Sequence, residues 1–301
     1  TLGTPDPFLV VEAGAGDGRL AREVLRAEPE CLRALRYVLV EISPGLRAAQ
    51  RDRLPLEPPG EALGPFAPRS GEDVPGPTPG TGPVFTSVGE LPPIGARDAV
   101  LIANELLDNL PFGIAESDGE RWCEVRVAVA DDGFVELLVP LPTGPGDEVT
   151  DPPGPAGTRI PIPRGLRTWF GEAERTIRSG VVALLDYMTD EPTLRLRTYR
   201  DHRPGGSPLA APGSCDITAD VVVGQLRAAS SPFRIERIRT QAEWLRDLGI
   251  EALADEGAQQ WRAGAAVGDL AALAGRSRVH EAEALTDPAG LGAHRVAILR
   301  R

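Results

Sequence analysis

The sequence contains no lysine. All 32 basic residues are arginine, set against 44 acidic residues for a net charge of −12. Without lysine no Walker A phosphate loop can be completed. The acidic balance argues against a DNA or RNA partner, which calls for a basic face, and suits a cationic one. Cysteine is scarce: Cys31, Cys123 and Cys215 are odd in number and far apart. That pattern fits neither a disulfide framework nor a zinc site, so the expectation is reduced thiols, a cytoplasmic protein and no metal. No run of 18 or more apolar residues is present to span a membrane as a helix. The start, TLGTPDPFLVV, lacks the basic opening and small-residue cleavage site of a secretory signal. No repeat of 20–50 residues is visible. Asparagine is nearly absent, and its only two copies, Asn104 and Asn109, fall in one window.

What is present reads as alternating strands and helices. FLVVEAG (8–14), RYVLVEIS (36–43), RDAVLIANE (97–105) and VVALLDYM (181–188) are short apolar runs of the kind buried in parallel sheets. FRIERIRT (233–240) and HRVAILRR (294–301) are later strands, and VFTSVGELP (84–92) marks a return to order. GRLAREVLRA (18–27) and PGLRAAQRDRL (44–54) have helical spacing, the second with Pro44 in its first turn. GLRTWFGEAERTIRSG (165–180) reads as a helix ending at Gly180, and DITADVVVGQLRAA (216–229) as a helix capped by Asp216. Residues 241–275 read as helical pieces. Together these predict a doubly wound α/β sheet in a single domain over 1–301. Three interruptions are expected. They are a Pro/Gly-rich insertion at 55–83, an antiparallel hairpin insert at 112–139 turning at Asp118-Gly119 and Asp132-Gly133, and a Pro/Gly-rich loop at 140–165.

The stretch VVEAGAGDGRLAREVL sets three glycines between a strand and a helix. Gly14, Gly16 and Gly18 give G-x-G-x-G, with Arg19 at the third position of the dinucleotide fingerprint, so that fingerprint fails. Glu12 precedes the glycines and would repel a pyrophosphate while attracting an ammonium group. The helix N-terminus still offers N–H groups to a carboxylate. Glu41 ends the next strand, 23 residues beyond Gly18, where an acid accepts hydrogen bonds from ribose hydroxyls. A ligand with ammonium, carboxylate and sulfonium groups on a ribose satisfies all of this, and S-adenosylmethionine is that ligand. The plain alternative is a tight turn with a solvated Glu41.

Seven stretches then occur in order: VVEAGAGDGRLAREVL, YVLVEISPGLRAAQRDRL, LIANELLDNLPF, ALLDYM, LRLRTYRDHR, SPLAAPGSCDITADV and LTDPAGLG. Together they resemble the MidA family of S-adenosylmethionine-dependent methyltransferases, with ANELLDNLP the most specific element. The resemblance runs from about Phe8 to Leu299. It implies a class I methyltransferase fold with extra elements and, in at least one branch, a mitochondrial one assisting respiratory complex I assembly, methyl transfer to a protein arginine. It places Glu12, Gly14, Gly16, Gly18 and Glu41 at the cofactor, and Asn104, Glu105 and Asp108 at the reaction site. It also implies a segment ahead of the glycine loop. This sequence begins seven residues before the first strand, as a fragment or as a branch lacking that segment.

Around ANELLDNLP the chemistry can be read further. A guanidinium keeps its charge at neutral pH and is oriented by carboxylates. Glu105 and Asp108, three apart, would share one face of a helix, with an acidic first turn as the structural alternative. Asn104 serves either the reaction or a helix cap, and Asn109 reads as a turn before Pro111. Asp186 and Tyr187 end a central strand and are weaker substrate-site candidates, a buried ring being the alternative for the tyrosine. His202 could take a proton from the product, though structural hydrogen bonding fits it as well. The four tryptophans, Trp122, Trp169, Trp244 and Trp261, are scattered and read as packing. Three functions follow: a protein arginine methyltransferase, a small-molecule methyltransferase with the hairpin as lid, or a noncatalytic cofactor-binding assembly factor. The partner is expected to be a protein with a cationic acceptor, and self-association is compatible with the sequence.

Overall fold

A computed structural model describes residues 2–64, 78–131, 133–142, 149, 152–200 and 203–301. Seven strands form the main sheet: β1 (Phe8–Ala13), β2 (Leu35–Val40), β3 (Val84–Val88), β4 (Ala99–Asn104), β5 (Gly180–Asp186), β6 (Arg234–Thr240) and β7 (Arg295–Arg300). Their order is β6-β7-β5-β4-β1-β2-β3. β1 to β5 pair in parallel, while β7 runs antiparallel to both β5 and β6. All six residues of β2 are buried, as expected for a strand covered on both faces. The chain winds from β1 outward to β3, then returns to place β4 on the other side of β1. That reversal opens a crevice at the carboxyl ends of β1 and β4. The architecture is the doubly wound, class I methyltransferase-like sheet that the sequence predicts.

Each face has its own apolar layer. Helix α1 (Arg19–Ala27) contributes Ala21, Val24 and Leu25 to one, beneath Val10, Tyr37, Leu39 and Phe85. Helix α2 (Pro44–Arg51) starts at Ser43, whose hydroxyl accepts from the Leu46 N–H, with Pro44 in the first turn as predicted. On the other face, α3 (Arg164–Thr176) and α4 (Val223–Ala229) supply Trp169, Phe170 and Leu226 against Val11, Leu101 and Leu184. The chain continues through α5 (Gln241–Asp247), α6 (Ile250–Gly264) and α7 (Leu270–Thr286). α6 and α7 meet so closely at Gly257 and Gly275 that a Cβ on either would lie 2.6 Å from a carbonyl oxygen.

Four expectations need correction. The helix expected to end at Gly180 stops at Thr176, and Gly180 instead opens β5. The 140–165 stretch is not loop throughout, because Arg159–Ile162 is a strand. It pairs only with Gly113–Ser117 at the edge of a four-stranded antiparallel insert, where Pro161 is tolerated because its missing donor faces outward. Asp216 is not a helix cap: Asp216–Ala219 pairs antiparallel with Leu196–Arg200, and helix begins only at Val223. The β-branched residues Ile217, Thr218, Val221 and Val222 favour extended backbone. The first hairpin turn is four residues long, Asp118 to Arg121, with Asp118 Oδ1 accepting from the Glu120 and Arg121 N–H groups. Asp132 of the second turn, His202 and much of the Pro/Gly-rich stretches lie outside the described residues.

Candidate active site

The glycine turn is shaped by conformation and crowding together. Gly14, Gly16 and Gly18 all have positive φ, at 74°, 54° and 80°, a region costly for side chains with a Cβ. A Cβ on Gly14 would press on Leu106, and one on Gly18 on Leu39, Gln50 and Leu54, at 3.2–3.3 Å. A Cβ on Gly16 would meet nothing within 4 Å. Gly14 and Gly18 therefore keep the turn packed, while Gly16 opens onto free space. The turn is tied down by the Gly14 and Ala15 N–H groups, both donating to the Val40 carbonyl, and by Gln50 Nε2, which donates to the Gly16 carbonyl at 2.7 Å. α1 begins without a side-chain cap and without an acid in its first turn. Its leading N–H groups and dipole thus favour an anionic group there. These residues fit the methionine end of S-adenosylmethionine.

Glu41 lies at the carboxyl end of β2. Its Oε2 accepts from the Gly16 N–H at 2.9 Å and its Oε1 from the Ser43 N–H at 2.8 Å. A carboxylate offers about four acceptor positions, so capacity for a ribose diol remains. Glu12 is placed otherwise than the sequence suggests. Its side chain is buried beside Tyr37, whose hydroxyl donates to Glu12 Oε2 at 2.8 Å. Burial pushes its pKa up to about 7, although the Tyr37 hydrogen bond opposes this. Glu12 therefore stands on the edge of ionisation.

At β4 the expected helix is not formed. Asn104 is the exposed last strand residue. Glu105 turns through positive φ (49°), its N–H donating to the Leu185 carbonyl. Only a 3-10 turn, Leu107–Asn109, follows. Glu105 and Asp108 consequently do not share a helical face, and Asn104 caps nothing. The Glu105 carboxylate is 47% exposed at the crevice. That of Asp108 is buried, accepting from Thr218 Oγ1 at 2.8 Å and from Asn109 Nδ2 at 2.7 Å. Burial raises the Asp108 pKa, against opposition from Thr218 and the charge of Arg197.

Asp186 is fully buried and structural: Oδ2 accepts from the Leu107 N–H and Oδ1 from the Tyr187 N–H, both at 2.8 Å. It fixes the turn that carries Glu105 and Asp108. Burial, with the nearby Asp108, raises its pKa to about 7. Tyr187 is a surface ring, not a buried one. It lies with its centroid 3.9 Å from that of His294, and the Arg197 guanidinium lies over it at 5.5 Å. Arg197 pairs with Asp220 at 2.6 Å. Beside them opens a cleft of about 490 Å³ lined by Tyr187, Met188, Arg195, Asp220, Leu291 and His294. His294, Arg197, Thr218 and Asp220 were not singled out as functional from the sequence. Arg197 lies within LRLRTYRDHR and His294 closely follows LTDPAGLG, two of the resemblance motifs, but neither carries a spacing that reports chemistry. No cluster able to hold a metal occurs among the described residues.

Comparison with known proteins bears on the family and the fold. Residues 1–234 match the model of a family described as "Putative S-adenosyl-L-methionine-dependent methyltransferase". The chain is 30% identical over 234 residues to the mitochondrial protein arginine methyltransferase NDUFAF7 homolog of Drosophila melanogaster, covering 73% of this chain and 52% of that protein. It thus spans about half the length of that curated relative. A candidate methyl transferase from Burkholderia thailandensis, crystallised with S-adenosyl-homocysteine, superposes with a TM-score of 0.71 at 23% identity, over 97% of this chain and 71% of the other. A second, native structure from the same organism gives a TM-score of 0.67 at 22% identity, over 97% and 74%. At these identities the two structures speak for the fold, and the family match covers most of the chain. This chain belongs to the MidA-like family of S-adenosylmethionine-dependent methyltransferases.

Proposed function

We propose that the chain carries the cofactor-binding and methyl-transferring part of a protein arginine methyltransferase. The observation that carries this reading is the half-exposed Glu105 carboxylate at the carboxyl end of β4, one strand from the glycine turn, with buried Asp108 behind it and Tyr187 beside it. In this reading Gly14, Gly16 and Gly18 admit the methionine carboxylate to the start of α1, Glu41 takes the ribose, and Glu12 contributes negative field toward the ammonium. The bound cofactor supplies an electrophilic methyl group on a positively charged sulfur. Glu105 orients one nitrogen of the acceptor guanidinium, and Asn104, exposed beside it, holds a second polar group of the acceptor. Asp108 acts through its charge and through Thr218 rather than by direct contact. The name of the Drosophila relative supports an arginine acceptor.

A protein acceptor is favoured over a small molecule by the insert. The distal hairpin, Trp122–Ala130 and Gly133–Pro140, exposes Val127, Val129, Phe134, Val135, Leu137, Leu138 and Val139. Val127, Val129, Phe134 and Leu138 share one face of the hairpin and Val135, Leu137 and Val139 the other, and apolar surface exposed in this way marks protein contact. The same feature would serve a noncatalytic assembly factor, so catalysis needs its own test. Methyl-labelled S-adenosylmethionine is incubated with the chain and protein acceptors, which are then hydrolysed. Label in methylarginine supports the reading. Label in a small molecule, or binding without transfer, replaces it with the second or third function.

A further inference from the structure

Methylating an arginine releases a proton, and among the described residues none of the groups assigned above is placed to take it. Glu105 is engaged with the cationic acceptor, while Asp108 and Asp186 are buried and hydrogen-bonded. The antiparallel course of β7 supplies another group. Because β7 runs against β5, its first residue, Arg295, lies opposite Asp186. The residue before it, His294, thus arrives at the edge where β4 and β5 end. Its side chain is 8% exposed, its ring packs on Tyr187, and its Nδ1 lies 3.9 Å from Glu105 Oε1. It also lines the cleft beside Tyr187, which opens to solvent.

Building on the arginine reading, we propose that His294 accepts the proton released when the guanidinium held by Glu105 is methylated. The balance is simple. A guanidinium nitrogen forms a bond to the methyl carbon, and the carbon–sulfur bond breaks with its electron pair left on sulfur. The nitrogen loses one N–H proton to an imidazole nitrogen, so the product keeps a single positive charge. The proton then leaves through the cleft. Burial holds the His294 pKa below the ordinary imidazole range, against the opposing charges of Glu105 and Asp108. The ring is therefore neutral and able to accept. The charged and titratable groups around it are Glu105 and Asp108 from the β4 turn, Tyr187 from β5, Arg195, and Asp220 with its partner Arg197. His280 is not an alternative, since it lies exposed on α7 beside Glu283.

The test compares His294→Asn and wild type for methyl transfer to an arginine peptide from mildly acidic to neutral pH, with S-adenosylhomocysteine binding measured alongside. A positioned base contributes about 10²- to 10⁴-fold. The expected result is a loss of kcat of that order, disappearance of the acid limb, unchanged cofactor affinity, and partial rescue of His294→Ala by free imidazole. Unchanged kcat and pH profile in a variant that binds the cofactor would overturn the proposal. Should the variants misfold, the chain's three histidines allow NMR titration of His294 in the intact protein. A titration that does not respond to Glu105→Gln overturns the proposal as well. Wild-type protein that binds cofactor but methylates no arginine refutes the acceptor reading itself, and this inference falls with it.

Discussion

The amide of Gly16 donates to the carboxylate of Glu41 across 2.9 Å, so the glycine turn and the end of β2 form one unit before any ligand arrives. Removing Glu41 deletes the brace and, in the proposed function, the ribose contact as well. Hydrogen bonds to a charged group contribute about 1.5–3 kcal/mol. Glu41→Ala is therefore expected to weaken S-adenosylhomocysteine binding by roughly 10- to 100-fold. Glu41→Gln, which keeps one acceptor oxygen, should fall between. Calorimetric titration checks the order, and equal affinities for all three proteins would remove Glu41 from the site.

Gly16 and Gly18 separate binding from folding. Both have positive φ, but only Gly18 is crowded, by Leu39, Gln50 and Leu54. Gly18→Ala combines backbone strain with overpacking and is expected to cost about 2–4 kcal/mol of stability. Gly16→Ala has strain alone, about 1–2 kcal/mol, while its methyl group enters the open space proposed for the cofactor. Denaturant unfolding should rank Gly18→Ala as the less stable protein, and titration should show the cofactor lost from Gly16→Ala.

Glu12 makes stability depend on pH. Its folded pKa of about 7 stands above the ordinary 4.5. The folded state thus binds the extra proton between those values, and the associated stability is full below 4.5 and lost as pH rises through 7. The span corresponds to about 3 kcal/mol. Glu12→Gln, which retains an acceptor for the Tyr37 hydroxyl, should be more stable than wild type above pH 7 and should flatten the pH profile of urea unfolding.

Thr218 bonds the buried Asp108 carboxylate. Thr218→Val preserves shape but leaves that oxygen without its hydroxyl donor, at an expected cost of about 1–3 kcal/mol. The Asp108 pKa should rise further, since Thr218 lowers it. Chemical denaturation gives the first effect and NMR titration of the Asp108 carboxyl the second.

Phe134 and Leu137 test the insert. Both are exposed, and surface substitutions usually change stability by less than about 0.5 kcal/mol. Phe134→Ser combined with Leu137→Ser should leave stability and cofactor affinity intact and reduce methylation of a whole protein, with a short arginine peptide unaffected. Equal loss on both substrates would place the hairpin's role elsewhere.

The sheet was legible because its strands are short apolar runs, and Pro44 announced a helix start. The glycine turn and Glu41 were legible for a related reason: positive φ demands glycine at fixed places, and an acid at the end of β2 follows from the fold. The β4 turn was not. Glu105 in left-handed backbone followed by a 3-10 turn is set by Asp186 holding the Leu107 N–H, a contact 79 residues away in sequence. Arg159–Ile162 was hidden by Pro161, which an edge strand tolerates. His294 was hidden because only the antiparallel pairing of β7 brings it to Glu105.

The proposed function stands or falls on methyl transfer to arginine at Glu105. The most direct measurement is transfer of labelled methyl from S-adenosylmethionine to protein acceptors by wild type and by Glu105→Gln, followed by amino-acid analysis. Label in methylarginine from wild type, reduced at least tenfold in a Glu105→Gln protein that still binds S-adenosylhomocysteine, is the predicted result. Methylarginine formed equally by both proteins, or label found only on another acceptor, would contradict it.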